Sequence, residues 1–115
     1  MLVSNEGNVY HTAVAFKQVK ADLESRELLR EVAEHIICDT GLSIVESYWH
    51  HYAPIGITGV YVLKQSSLTL HTWPEYKKLV IDITTCGQEV NVDKVLDYLK
   101  TRLCTESIIV SREVL

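Results

Sequence analysis

The sequence predicts an α+β fold, a two-layer sandwich in which two helices cover one face of a largely antiparallel sheet. Six segments alternate as strands do, and two segments repeat apolar residues at helical spacing. Four of the strand-like segments follow one another without an intervening helix, which gives the order β-α-β-β-β-β-α-β. Because parallel strands need a long crossover connection, this succession favours antiparallel pairing.

The first two elements are a strand and an amphipathic helix. Residues Asn8–Phe16 alternate with β-favouring neighbours, which predicts the strand. From about Val19 to Cys38, apolar residues recur at helical spacing while charged residues fill the other face, which predicts the helix. Gly41 is expected to end this helix, because glycine adopts the left-handed backbone of a helix C-terminus without strain.

Two adjacent strand-like segments form a predicted hairpin. They cover Leu42–His51 and Ile57–Gln65. Pro54 and Gly56, which lie in the connection between them, are residue types that favour turns. An antiparallel hairpin is therefore the simplest arrangement of these two strands.

The second half of the chain completes the sheet and adds the second helix. Leu68–His71 alternates briefly and Lys78–Thr85 is rich in β-branched residues, so both segments are predicted strands. Asn91 can cap a helix whose apolar stripe runs to Leu103. Ser107–Val110 is the last predicted strand.

The predicted strands carry apolar residues on both faces of the sheet. The runs Val60–Leu63 and Leu79–Ile81 show this most clearly. Helices on one face would leave a larger apolar surface than a soluble monomer usually exposes. We therefore expect a symmetric homodimer, in which the second face of the sheet packs against another copy of the chain.

Length, composition and charge indicate one globular domain over residues 1–115. Apolar residues make up 47% of the chain and charged residues 23%, which are ordinary values for a domain with a buried core. The net charge is −4, and no basic cluster is present beyond Lys77–Lys78. Nucleic acid is therefore not an expected partner.

The sequence also argues against membrane and metal partners. No basic N-terminal segment precedes an apolar run, and no apolar run approaches the roughly 20 residues of a membrane span, so we expect a cytoplasmic protein. The cysteines, at Cys38, Cys86 and Cys104, lack the spacing of a disulfide framework or a zinc site. His50 and His51 would point to opposite faces of a strand, so no metal ion is expected there.

A short stretch near the middle of the chain concentrates two serines, a histidine, a tryptophan and a glutamate. The motifs around it are Gly56–Gly59, Gln65–Ser67, His71–Glu75, Asp82 and Cys86–Gly87. In these motifs and their spacing, the chain resembles the short bacterial and archaeal S-adenosylmethionine decarboxylases, which are pyruvoyl enzymes. The resemblance extends loosely over nearly all 115 residues.

The resemblance implies a proenzyme that cleaves itself between residues 65 and 66. Ser66 would attack the backbone carbonyl of Gln65, and the fragments 1–65 and 66–115 would result. A pyruvoyl group would then stand in place of Ser66. A serine hydroxyl is a weak nucleophile at neutral pH and needs assistance. Thr58 stands where the family places an assisting hydroxyl, and His71 stands where it places the base for the elimination step.

The resemblance also implies how the substrate is bound and decarboxylated. The pyruvoyl carbonyl would form a Schiff base with the substrate amine and accept electrons as carbon dioxide leaves, so no pyridoxal phosphate and no metal is implied. Cys86 corresponds to the proton donor. Tyr52 and Trp73 offer aromatic surfaces for the adenine, and Glu75 offers a carboxylate to the ribose hydroxyls or the sulfonium. The product would supply the aminopropyl group for spermidine and polyamine synthesis.

The resemblance further implies that the active sites lie at or near the dimer interface. We expect Thr58, Ser66, His71 and Cys86 to cluster within one protomer. The partner subunit is then expected to contribute part of the substrate pocket.

Two residues depart from the family pattern. Gln65 replaces the glutamate before the cleavage site, and Ser67 replaces the histidine after the nucleophile. These changes leave two alternatives open. One is a pyruvoyl decarboxylase of a basic amino acid such as ornithine or arginine, and the other is an uncleaved, non-catalytic homologue. Trp73 and Glu75, which are retained, favour S-adenosylmethionine as the substrate.

Overall fold

The computed structural model describes residues 7–115, which form six strands and two α-helices. The strands are β1 (Val9–Lys17), β2 (Ile44–His51), β3 (Ile57–Leu63), β4 (Ser66–Trp73), β5 (Lys78–Cys86) and β6 (Ser107–Val114). The helices are α1 (Arg26–Thr40) and α2 (Leu96–Leu103), with short 3-10 turns at Pro74–Tyr76 and Val92–Lys94. The predicted order of strands and helices is confirmed.

The six strands form one sheet in the order β2-β3-β4-β5-β1-β6. Every neighbouring pair is antiparallel. The buried residues of α1 and α2 share a single core with one side of the strands, so both helices cover the same face. The α+β sandwich predicted from the sequence is therefore confirmed.

Alternation along the strands sorts the side chains between the two faces of the sheet. On the helix-covered face, Phe16, Tyr61, Leu70 and Ile81 are at most 1% exposed. They belong to a larger apolar core between the two layers, whose burial stabilises the fold by about 25 cal/mol for each Å² removed from water. Because every second residue of a strand is buried in this core, the residues between them lie on the opposite face of the sheet.

The opposite face, called the open face below, carries three rows of paired residues across the strands. The first row is His50, Thr58, His71, Val80, Ala15 and Ile109; the middle row is Tyr48, Val60, Thr69, Asp82, Ala13 and Ser111; the third row is Glu46, Val62, Ser67, Thr84, His11 and Glu113. Apolar and polar residues are mixed in every row. The predicted apolar runs place only alternate residues on this face, so polar side chains stand between the apolar ones.

Helix α1 begins at Arg26 rather than near Val19, where the sequence pattern predicts its start. The Ser25 side chain accepts the backbone N–H of Leu28 at 3.1 Å and so caps the helix at this point. Val19 donates its own backbone N–H to the carbonyl of Lys77 at 2.9 Å. The segment before Ser25 is therefore held by tertiary hydrogen bonds, although its apolar residues fit the helical period.

The other predicted helix boundaries are partly confirmed. Gly41 ends α1 with φ +74°, and its backbone N–H bonds to the carbonyl of Cys38. Asn91 caps the short turn Val92–Lys94 instead of α2, which begins only at Leu96. Among residues 7–115, no helix combines the length and the apolar character that crossing a membrane requires.

Gly59 lies opposite Trp49 in the β2–β3 pair, and a side chain there would collide with the indole ring. A Cβ atom at this position would lie 2.6 Å from Cζ3 of Trp49. The ring has little freedom to move, because Tyr61 packs edge-on with the ring centroids 5.9 Å apart and Arg26 lies over its face. We expect Gly59→Ala to lower the free energy of unfolding by about 1–3 kcal/mol, as overpacking commonly does.

Urea denaturation measures this difference. Ser47→Ala is the matched control, because Ser47 lies two residues from Trp49 on the same side of β2 but is exposed and away from the open face. We expect the control to cost less than Gly59→Ala. Equal losses in the two variants would contradict the proposed collision.

Candidate active site

The predicted cleavage position lies in the tight turn between β3 and β4. Leu63 and Ser66 are register partners, so only Lys64 and Gln65 connect the two strands. Gln65 has φ +56°, in the left-handed region that residues other than glycine rarely adopt. Such a conformation costs roughly 1–3 kcal/mol. The peptide bond before Ser66 therefore follows a residue with a strained backbone.

Cys86 lies at the same end of the sheet as Ser66. Ser67 pairs with Thr84, and β5 ends two residues later at Cys86. The Cys86 thiol is exposed, and alternation with the buried Thr85 places it on the open face. Ser66 is half-buried, and alternation places its hydroxyl on the helix side of β4 in the uncleaved chain.

Thr58 and His71 lie together at the other end of the sheet. They are register partners on β3 and β4, and Oγ1 of Thr58 lies 3.0 Å from Nδ1 of His71. The hydroxyl of Tyr52 lies 3.1 Å from the same Oγ1. These three side chains form a hydrogen-bonded chain that can orient the His71 ring.

A cavity of about 300 Å³ surrounds this chain of side chains. Its lining residues are Tyr52, Ile55, Gly56, Thr58, His71, Thr72, Trp73 and Glu75. The Trp73 ring is 40% exposed, and its centroid lies 5.8 Å from that of His71. Exposed aromatic rings beside a carboxylate suit a flat ligand that carries a positive charge.

A larger and more open hollow of about 720 Å³ lies between the start of the β1–α1 connection and the end of α2. Lys20, Lys100 and Cys104 are among its lining residues. None of the site residues predicted from the sequence lines it. The smaller cavity is the better candidate for a substrate site, because its residues converge on hydrogen-bonded groups of the open face.

The structure separates the four predicted reacting residues into two pairs. Thr58 and His71 form one pair, and Ser66 and Cys86 lie at the opposite end of the strands. Ser66 and His71 are five residues apart on one strand, which corresponds to about 16 Å. The expectation that all four cluster within one protomer is therefore wrong. The fully extended backbone of β4 makes their approach within one chain impossible.

A polar cluster towards the β6 edge of the open face was not predicted from the sequence. His11 Nε2 lies 2.9 Å from Oδ1 of Asp82, and its Nδ1 lies 3.1 Å from Oε1 of Glu113. The hydrogen bond to Glu113 and then that to Asp82 raise the pKa of His11 above its usual 6.5. The only sequence signal for this cluster was the alternation of β1, because no local pattern shows that β1 pairs with the C-terminal strand.

Comparison with known proteins decides the family. A family profile described as S-adenosylmethionine decarboxylase matches residues 10–113, which is most of the chain. The chain belongs to the S-adenosylmethionine decarboxylase family. The resemblance drawn from its sequence motifs is thereby confirmed.

Individual relatives agree with the family profile. An S-adenosylmethionine decarboxylase proenzyme of Thermotoga petrophila is 38% identical over 84 residues, which cover 73% of this chain and 65% of the relative. One of Thermosipho melanesiensis is 36% identical over 89 residues, covering 77% and 68%. The matched region thus spans about two thirds of these S-adenosylmethionine decarboxylases.

A solved structure shows the same fold. The crystal structure of the adenosylmethionine decarboxylase from Aquifex aeolicus matches with a TM-score of 0.78 and 28% sequence identity. The match covers 94% of this chain and 90% of that one. This chain therefore shares the fold of the Aquifex aeolicus enzyme.

We expect the His11 cluster to make the stability of this S-adenosylmethionine decarboxylase family member depend on pH. Because the folded pKa lies above 6.5, protonated His11 stabilises the fold fully below pH 6.5, and this stabilisation is lost as the pH rises through the folded pKa. We expect the free energy of unfolding to fall between about pH 6 and pH 8. The fall should be smaller in His11→Gln. Urea denaturation at fixed protein concentration measures both slopes, and parallel slopes would contradict the assignment.

Proposed function

We propose that this chain is a self-processing, pyruvoyl-dependent decarboxylase of S-adenosylmethionine, whose product supplies the aminopropyl group for polyamine synthesis. The observation that carries the proposal is the left-handed Gln65 in a two-residue turn directly before Ser66. Family membership and the names of the relatives support the activity. The pairing of Thr58 with His71 supplies the polar groups that the chemistry requires.

Self-processing begins at the strained turn. The hydroxyl oxygen of Ser66 attacks the backbone carbonyl carbon of Gln65, and its proton passes to the departing amide nitrogen. The amide becomes an ester, and release of the left-handed conformation at Gln65 favours this step. A base then removes the α-hydrogen of residue 66 as a proton, and the Gln65 carboxylate leaves. Water finally replaces the nitrogen of residue 66 and releases ammonia.

A second copy of the chain brings the two separated pairs together. In this arrangement a two-fold axis runs along the middle row of the open face, between the two sheets. Each strand then lies over the same strand of the partner subunit but points in the opposite direction. The row of Ser67 in one subunit then lies over the row of His71 in the partner subunit. We propose that Ser66 and Cys86 of one subunit meet Thr58 and His71 of the other in a homodimer.

Cleavage also changes what Ser66 can reach. In the intact chain its side chain lies on the helix side of β4, because Ser67 is on the open face. A break before residue 66 turns this residue into a free chain end that is no longer held by the turn. Residue 66 can then rotate towards the open face, where Cys86 presents its thiol.

Each side chain of the composite site has a separate task. A pyruvoyl group at position 66 supplies an electron sink when carbon dioxide leaves the substrate. The Cys86 thiol is placed to return a proton to the substrate carbon. Trp73 and Tyr52 offer ring faces to the adenine, and Glu75 offers its carboxylate to the ribose hydroxyls or the sulfonium.

The two departures from the family pattern are compatible with this scheme. The Gln65 side chain is exposed, and the atom attacked by Ser66 belongs to the backbone. Ser67 lies on the open face beside Thr84, so it retains a hydroxyl at the position where the family carries histidine. The residues that line the cavity around His71 are unaffected by either change.

Processing is the first test of the proposal. We expect the purified chain to separate into fragments 1–65 and 66–115 on a denaturing gel, and Ser66→Ala to remain intact. Mass spectrometry should find fragment 66–115 lighter, by the mass of ammonia, than a simple hydrolysis product. Ser67→Ala is the matched control and should still be cleaved. A wild-type chain that stays intact, even with hydroxylamine, would contradict the proposal and favour a non-catalytic homologue.

The same preparation identifies the substrate. Labelled S-adenosylmethionine, ornithine and arginine are offered separately, and carbon dioxide release is measured. We expect release from S-adenosylmethionine alone, because the cavity combines two aromatic rings with one carboxylate. Release from ornithine or arginine only would replace the proposed substrate with a basic amino acid.

Complementation tests whether the site is shared between subunits. We expect Ser66→Ala and His71→Ala chains, each expressed alone, to form no pyruvoyl group. When the two chains are co-expressed with different tags, a mixed dimer contains one site with intact Ser66 and intact His71. The His71→Ala chain should then acquire the pyruvoyl terminus. Purified mixed dimers without any pyruvoyl group would contradict the shared site.

A further inference from the structure

The connection between β1 and α1 contacts the cavity loop through a single carboxylate. Glu24 lies just before the first turn of α1, and its side chain is 28% exposed. Its Oε2 accepts the backbone N–H of Gly56 at 3.0 Å. Its Oε1 lies 3.2 Å from Nε2 of His51. One carboxylate therefore contacts the loop between β2 and β3 at both ends.

The loop that Glu24 contacts forms one side of the candidate substrate cavity. The Tyr52 backbone N–H donates to the carbonyl of Gly56 at 2.8 Å, which closes the loop. Gly56 is buried and has φ +107°, so this position favours glycine. Both backbone groups of Gly56 are thus engaged, its carbonyl by Tyr52 and its N–H by Glu24.

The loop in turn positions the Tyr52 hydroxyl, which contacts Thr58 and through it orients His71. Tyr52 hydrogen-bonds through its hydroxyl to Oγ1 of Thr58, and the same oxygen contacts Nδ1 of His71. A loop that moves away from the sheet withdraws Tyr52 from Thr58 and opens the cavity wall. A series of hydrogen bonds therefore links Glu24, through Gly56 and Tyr52, to the side chains that face the substrate.

We propose that Glu24 is a positioning residue that holds the Tyr52–Gly56 loop closed over the substrate cavity. The inference rests on the proposed function, since it assigns a role to the same cavity. The role depends on how far the Glu24 side chain reaches and not on its charge, because its half-buried hydrogen bond is made with the neutral backbone N–H of Gly56. The ion pair with His51 contributes little, because His51 is 54% exposed and water screens the pair.

Three substitutions separate reach from charge. Glu24→Gln keeps an oxygen within reach of the Gly56 N–H but removes the charge. Glu24→Asp keeps the charge but withdraws the carboxylate by one methylene. Glu24→Ala removes both. Leaving the N–H of the buried Gly56 without an acceptor costs enough to change binding by about 10-fold.

We expect Glu24→Ala and Glu24→Asp to raise KM for S-adenosylmethionine by about 10-fold while kcat changes much less. Glu24→Gln should restore most of the affinity. His51→Ala and the matched control Glu27→Ala, which removes an exposed carboxylate in the first turn of α1, should leave KM within about two-fold of wild type. Equal impairment in Glu24→Gln and Glu24→Ala would overturn the positioning role in favour of an electrostatic one.

Amide hydrogen exchange tests the same inference without turnover. The measurement is made on Ser66→Ala chains, so it can be interpreted even if the proposed decarboxylase activity fails. We expect Glu24→Ala and Glu24→Asp to speed exchange at Tyr52 and Gly56 while α1 and the sheet core stay protected. Glu24→Gln should not. Unchanged exchange in the loop, or faster exchange throughout the chain, would overturn the proposal.

Discussion

The antiparallel pairing of β3, β4 and β5 determines where Thr58, Ser66, His71 and Cys86 lie. Leu68 and Leu70 are completely buried, and they hold β4 in register between its neighbours. A slip of one residue would turn His71 towards the core and an apolar side chain towards the open face. Burial of the apolar side chains on the helix-covered face therefore fixes which polar side chains lie on the open face.

The same register explains why one chain carries an incomplete site. A strand is nearly inextensible, so residues separated along β4 cannot approach each other by a local adjustment. Under the proposed arrangement, folding of the single chain positions each half of the site, and association supplies the missing half. Processing would then be restricted to chains that have both folded and paired, which protects a monomer from premature cleavage.

Much of the fold could be predicted from the sequence, because its strands and helices have distinct apolar periods. The helix start was missed because residues near Val19 satisfy a helical period while their N–H groups bond elsewhere. The residues around Ser66 and His71 were found through their family motif. The distance between Ser66 and His71 was not predicted, because the sequence pattern starts the strand only at Leu68. In the structure β4 already starts at Ser66, and its extended backbone keeps the two residues apart. The contacts of His11 and Glu24 depend on tertiary pairing between segments far apart in sequence, for which local patterns carry no signal.

The strand order has a consequence for the cleaved protein. A cut between residues 65 and 66 leaves β1, β2 and β3 in one fragment and β4, β5 and β6 in the other. β1 lies between β5 and β6, so the two fragments interlock within the sheet. Separating them would break the β3–β4, β1–β5 and β1–β6 pairings together. A chain cleaved in this way would therefore be held together by its sheet. Once denatured, each protomer would have to reform from two fragments in a second-order step that folding of an intact chain does not need.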